Sequence, residues 1–201
     1  MLAKGLETEK IAAREGMSGE GARPRGGMDS AAGMRLAAEG AVKLIAADDG
    51  PRVAALAFDG WDTHANEGGP VGRLAQLLGG LDGAFAAFET GLAARWKETA
   101  IVAITEFGRT ARINGTTGTD HGTGTVAFLA GGAVKGGRVI ADWPGLRDEQ
   151  LHEGRDLKPT TDLRAVLKGL LAEQFGLSVA VLAEKVFPDS AAVRPMQGLI
   201  A

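Results

Sequence analysis

Two short apolar runs flank one long amphipathic stretch, and that succession constrains the fold more than anything else in the chain. Val53-Ala54-Ala55-Leu56-Ala57-Phe58 follows the turn residues Asp48-Asp49-Gly50-Pro51. A continuous apolar run of this kind reads as a strand buried on both faces. Residues 69–96 then carry Leu74, Leu77, Leu78, Leu81, Phe85, Phe88, Leu92 and Trp96 at steps of three and four, which predicts a helix with one packing face. A second apolar run occupies residues 100–105. Strand, helix and strand make a βαβ unit, with parallel strands and a right-handed crossover. Residues 125–130 predict a third strand and residues 138–141 a short fourth. The expected fold class is therefore α/β, a largely parallel sheet flanked by helices. The strands at 53–58, 100–105 and 125–130 are expected to be neighbours or near neighbours. Three or four strands make a thin sheet for 201 residues, so the sheet is expected to be incomplete.

Two further helices can be read from their ends. Asp29 or Ser30 can cap a helix that buries Met34, Ala37, Ala38, Ala41, Leu44 and Ile45. Thr160-Thr161-Asp162 opens another, with Leu163, Val166, Leu167, Leu170, Leu171 and Phe175 at helical spacing and Gly176 to close it. Residues 1–28 are rich in glycine and charge and are expected to form a flexible N-terminal segment. Residues 29–201 are then one part of an α/β domain. The glycine run at residues 131–137 lacks the spacing of a phosphate-binding loop and reads as a turn between strands.

Composition removes several function classes. The net charge of −3 does not fit a nucleic-acid partner. No apolar run is long enough for a membrane span. Without cysteine or tyrosine there is no thiolate ligand, no cysteine nucleophile and no tyrosine acid.

What remains is a set of carboxylates and imidazoles placed where strands are expected to end. Such ends are where ligands bind in open α/β sheets. The first group is Asp59-Gly60-Trp61-Asp62-Thr63-His64. In an extended segment Asp62 and His64 point the same way, so both can reach one ion. The bland alternative is a turn aspartate beside a surface histidine. The second group is Gly118-Thr119-Asp120-His121-Gly122-Thr123-Gly124, where His121 can add a second imidazole and Asp120 a ligand or an orienting partner. Glu106 and Arg109 form the third group, either as ligand and anion clamp or as a simple salt bridge. His152 lacks such company and reads as a solvated loop residue.

Four stretches in order resemble a known group. They are Gly60-Trp61-Asp62-Thr63-His64-Ala65-Asn66, Thr105-Glu106-Phe107-Gly108-Arg109-Thr110, Gly118-Thr119-Asp120-His121-Gly122 and Gly154-Arg155-Asp156-Leu157-Lys158-Pro159-Thr160-Thr161-Asp162. Together they are similar to the bacterial domain-of-unknown-function family 1501, commonly described as sulfatase-like and placed in the alkaline phosphatase superfamily. The resemblance implies that this chain corresponds to the C-terminal half of a longer protein. It also implies twin-arginine export and a periplasmic location for full-length relatives. Under it Asp59 is the acidic strand-end residue, and Asp62, His64 and His121 are ligands of a first metal. Glu106 takes the place of the aspartate in an Asp-His pair. Phe107 takes the place of that pair's histidine, which implies a weakened or missing second metal site. The superfamily nucleophile has no counterpart in the chain.

Two functions follow as expectations. One is a metal-dependent hydrolase of small phosphate or sulfate esters, using at most one divalent ion, zinc or manganese, with Arg109 holding the anion. The metal candidates are Asp59, Asp62, His64, Glu106, Asp120 and His121, and no catalytic residue is identified. The other is a non-catalytic exported binding or assembly protein that keeps the fold. In either case an exposed sheet edge is expected to favour self-association.

Overall fold

The computed structural model describes residues 29–201, and the expectation for residues 1–28 lies outside them. The described residues divide into two compact units, 29–95 and 96–201.

Among the described residues the first unit is built on two helices. In α1 (Ala31–Ile45) Ser30 is the N-cap, its Oγ accepting the Gly33 N–H at 3.1 Å, as the sequence predicts. Lys43 in the last turn faces the negative end of the helix dipole. The long stripe of leucines and phenylalanines forms α2 (Arg73–Leu92), continued by a 3₁₀ segment, Ala93–Glu98. Met34, Ala38 and Val42 of α1 are buried, as are Leu77, Ala84, Phe88 and Leu92 of α2. Leu78, in the predicted stripe, is exposed. Two glycines let the backbones approach closely. A side chain at Gly80 would strike Ala31 and Met34, and one at Gly91 would strike Val42. These contacts advance along both helices in the same sense, so α1 and α2 run parallel. Arg73 donates to the Asp29 carbonyl at 3.0 Å, and Arg95 pairs with Asp48 at 2.9 Å.

The second unit holds four short strands. They are β1 (Ile101–Ala103), β2 (Gly108–Arg109), β3 (His121–Gly122) and β4 (Phe128–Ala130). β1 pairs antiparallel with β4, matching Ile101 to Ala130 and Ala103 to Phe128. β2 pairs antiparallel with β3, matching Gly108 to Gly122 and Arg109 to His121. Helix α3 (Leu163–Phe175) begins at Asp162, whose side chain accepts from the Arg164 N–H at 2.9 Å, and ends at Gly176 in the left-handed region. The Arg164 side chain also bonds to Asp162 and holds its carboxyl below the usual range.

The C-terminal segment docks on α3 through polar contacts. Lys168 is fully buried, and its Nζ donates to the Ser190 and Val193 carbonyls at 2.6 and 3.0 Å. Two acceptors inside the protein satisfy a cation that would otherwise be costly to bury. Glu173 accepts three backbone N–H groups, those of Gly198, Leu199 and Ile200, at 2.5–2.8 Å. Leu199 is 1% exposed beneath this clamp.

This architecture corrects the expected fold class. The described residues contain two small antiparallel sheets and no large parallel one. Residues 53–58 form neither strand nor helix, with Val53 71% exposed, and residues 138–141 form no strand, with Val139 92% exposed. Residues 100–105 and 125–130 do contain strands, but these pair with each other antiparallel. An apolar run records a tendency to be buried in a sheet. It does not record which strand lies alongside or in which direction, because β-propensity depends on neighbours. The predicted βαβ unit fails for want of its first strand.

Glu173 gives this region a signature at acid pH. Backbone N–H donors, chiefly that of Ile200, stabilise its ionised form and hold its carboxyl below the ordinary 4.5. The clamp therefore contributes stability above the unfolded-state value and loses it as pH falls through the lower folded one. The amide resonances of Gly198, Leu199 and Ile200 should titrate together with a midpoint below 4.5. Glu173→Ala should abolish that titration. A common midpoint at or above the ordinary value would show that the clamp does not form.

Candidate metal centre

Asp62 and His64 are brought together by the backbone of residues 61–64. The Thr63 N–H bonds to the Trp61 carbonyl at 2.9 Å, and the His64 N–H bonds to the Asp62 carbonyl at 3.1 Å. These tight i to i−2 turns replace the extended segment assumed from the sequence. They bury Thr63, at 6% exposure, and leave its two neighbours accessible. His64 Nε2 lies 3.0 Å from Asp62 Oδ1.

His121 stands on β3, opposite Arg109 on β2. Its ring meets that of Phe107 with centroids 4.2 Å apart and planes tilted by 36°. The phenylalanine that cannot ligate a metal thus serves as a wall for one that can. Arg109 Nε donates to Thr119 Oγ1 at 3.0 Å. The simple salt bridge considered for Arg109 and Glu106 is not formed among the described residues, and Glu106 is exposed between β1 and β2.

Asp62, His64 and His121 each offer one ligand atom, and these atoms all lie within 4.8 Å of one another. Ligands about 2.0–2.2 Å from one ion can be at most about 4.4 Å apart. The 4.8 Å limit lies just above that span. One carboxylate and two imidazoles are a donor set suited to zinc or manganese. Asp59, Glu106 and Asp120 are not in this group. Asp59 follows the run at 53–58 and is exposed. Asp120 is tied into its own loop, with Oδ1 accepting from Asn114 Nδ2 at 2.9 Å and its carbonyl accepting from the Thr110 N–H at 2.9 Å.

Several residues that shape this region were missed from the sequence. Asn114 closes the loop before β3, its Oδ1 accepting from the Thr116 and Gly118 N–H groups at 3.0 and 3.1 Å. An asparagine ahead of Gly-Thr-Thr-Gly was a legible turn signal. His152 is half-buried rather than solvated, and its backbone pairs with Asp156 in both directions at 2.9 and 3.0 Å. Asp156 itself is 3% exposed.

The chain belongs to the family described as Protein of unknown function (DUF1501), whose model matches residues 6–186. No curated protein and no solved structure matches it. No helix among the described residues is long and apolar enough to cross a membrane.

The β2–β3 pairing that carries His121 depends on close backbone contact. A side chain at Gly108 would strike the Gly124 carbonyl, and one at Gly122 would strike the Arg109 carbonyl. Gly108→Ala should therefore destabilise the second unit by about 1–3 kcal/mol, as overpacking does. It should also broaden the amide resonances of residues 108–110 and 120–124. Unchanged thermal stability and unchanged resonances would show that the contact is dispensable.

Proposed function

We propose that this protein binds one divalent ion through Asp62, His64 and His121 as part of a sulfatase-like hydrolase of small phosphate or sulfate esters. The convergence of those three ligand atoms is the observation that carries this reading. When bound, the ion would supply Lewis acidity at the ester oxygen. His64 and His121 would offer it imidazole nitrogens and Asp62 a carboxylate oxygen. Arg109 is half-buried, with Nε engaged by Thr119, and its planar fork suits a tetrahedral anion. Zinc or manganese are the ions we propose, and the periplasm is the location we propose for full-length relatives.

A second reading is a non-catalytic binding or assembly protein that keeps the metal. Phe107 favours it, because a phenyl ring cannot bind a metal, and here it packs against the His121 ring. Exposed apolar side chains, among them Val71, Val139 and Trp143, support self-association under this reading.

Metal analysis and calorimetry of the purified chain should find one Zn²⁺ or Mn²⁺ per chain. His64→Ala and His121→Ala should each weaken binding by at least about 100-fold, since two donors hold an ion poorly. Stoichiometry near zero, or unchanged affinity in both variants, would remove the metal site. The chain alone should hydrolyse nitrophenyl phosphate and sulfate weakly or not at all, because a single ion without a nucleophile aligned to it lacks the roughly 7–11 kcal/mol that alignment supplies. Brisk turnover lost in His64→Ala would show instead that the catalytic centre is complete.

A further inference from the structure

We infer that Asp156 is a positioning residue for His121, acting through Thr123 and Arg155. This rests on the metal reading for its purpose and on the geometry of the second unit for its content. Asp156 is an almost fully buried carboxylate in a run that the metal reading leaves without a role. Its Oδ2 accepts from Thr123 Oγ1 at 2.9 Å and from Arg155 Nη2 at 3.2 Å. The same Arg155 Nη2 donates to the His121 carbonyl at 3.3 Å. One buried carboxylate thus holds the chain two residues after His121 and, through the guanidinium, the backbone of His121 itself.

The turn that carries Asp156 is fixed to both neighbouring strands. Asp156 bridges antiparallel to Thr110, just beyond β2. Ala111 N–H bonds to the Arg155 carbonyl and Gly124 N–H to the Leu157 carbonyl, each at 3.0 Å. The His152–Asp156 backbone bonds close the turn behind. The turn is thus fixed by backbone bonds of its own, and the Asp156 side chain reaches the His121 segment from it. Asp156 Oδ1 is buried with no hydrogen-bond donor, 2.9 Å from Arg155 Nε as an ion pair only, so the two donors on Oδ2 hold the acid and losing one is costly. The Arg155 side chain is 57% exposed while that of Asp156 is 5% exposed, so the guanidinium covers the buried acid. Partners that orient a ligand from outside the coordination sphere commonly alter metal affinity about 10–100-fold.

The test uses Thr123→Val, which keeps shape and removes the hydroxyl, together with Asp156→Asn and Thr123→Ser. With only three histidines, ring resonances of the metal-free chain can be assigned by His121→Gln. In folded, metal-free Thr123→Val the His121 ring signals should shift or broaden, and Thr123→Ser should restore them. Titration with Co²⁺ should show affinity about 10–100-fold weaker and altered visible bands in Thr123→Val and Asp156→Asn, with recovery in Thr123→Ser. If Thr123→Val folds and leaves both the ring signals and the cobalt spectrum unchanged, the positioning role is overturned, even should Asp156→Asn unfold. If the wild-type chain gives no cobalt bands, the metal reading falls, and the metal-free ring signals decide the positioning role alone.

Discussion

The candidate site depends on backbone hydrogen bonding between loops rather than within a sheet. Each N–H and C=O taken from water needs a partner. In the second unit those partners come from three short segments that lie side by side: β2 with Thr110 and Ala111, β3 with its flanks at Asp120 and Gly124, and the turn from His152 to Leu157. Thr110 bonds to Asp120, Ala111 to Arg155, and Gly124 to Leu157. No strand here is longer than three residues. Cooperation among cross-bonds therefore supplies what a long ladder would. The glycines at 108, 122 and 124 make the close approach possible, since each faces a neighbouring backbone with no room for a side chain.

Such a framework explains why the polar interior residues are where they are. Asp156 and Lys168 are both buried, and both ends of their interactions lie within the second unit. Lys168 fastens the C-terminal segment to α3, while Asp156 fastens β3 to the turn. A loop-rich unit with little continuous sheet has few apolar layers to define its packing. Side chains that bond to specific carbonyls and hydroxyls define it instead. Breaking one partner of such a pair leaves a buried polar group unsatisfied, which costs more than the bond contributes when formed.

The helices were legible because a helix is a local object. Ser30, Asp162 and Gly176 carry capping chemistry that needs nothing distant, and each caps as its residue type predicts. The strands were legible only as apolar runs. Residues 100–105 and 125–130 found each other, antiparallel, while residues 53–58 found no strand among the described residues. The chain contains no local mark that distinguishes these outcomes. Extended pairing is settled by what lies alongside, which a period-two or continuous pattern cannot state.

The site divides along the same line. Asp62 and His64 were nominated because their spacing lets both reach one ion, and only together with the other two ligand-rich runs; tight turns, not an extended strand, set their common direction. His121 was recognisable from the glycine-rich company it keeps. Asp59, Glu106 and Asp120 carried the same residue chemistry yet are not in the converging group, because a carboxylate's type says nothing of where its loop goes. Asp156 was visible only as one letter in a polar run. Its significance lies in burial and in two hydrogen bonds to residues more than thirty positions away in sequence, Thr123 and His121, the latter through Arg155. Ligand atoms can be nominated by chemistry, but the residues that hold them still are fixed by nonlocal hydrogen bonds, and these emerge only once the chain is folded.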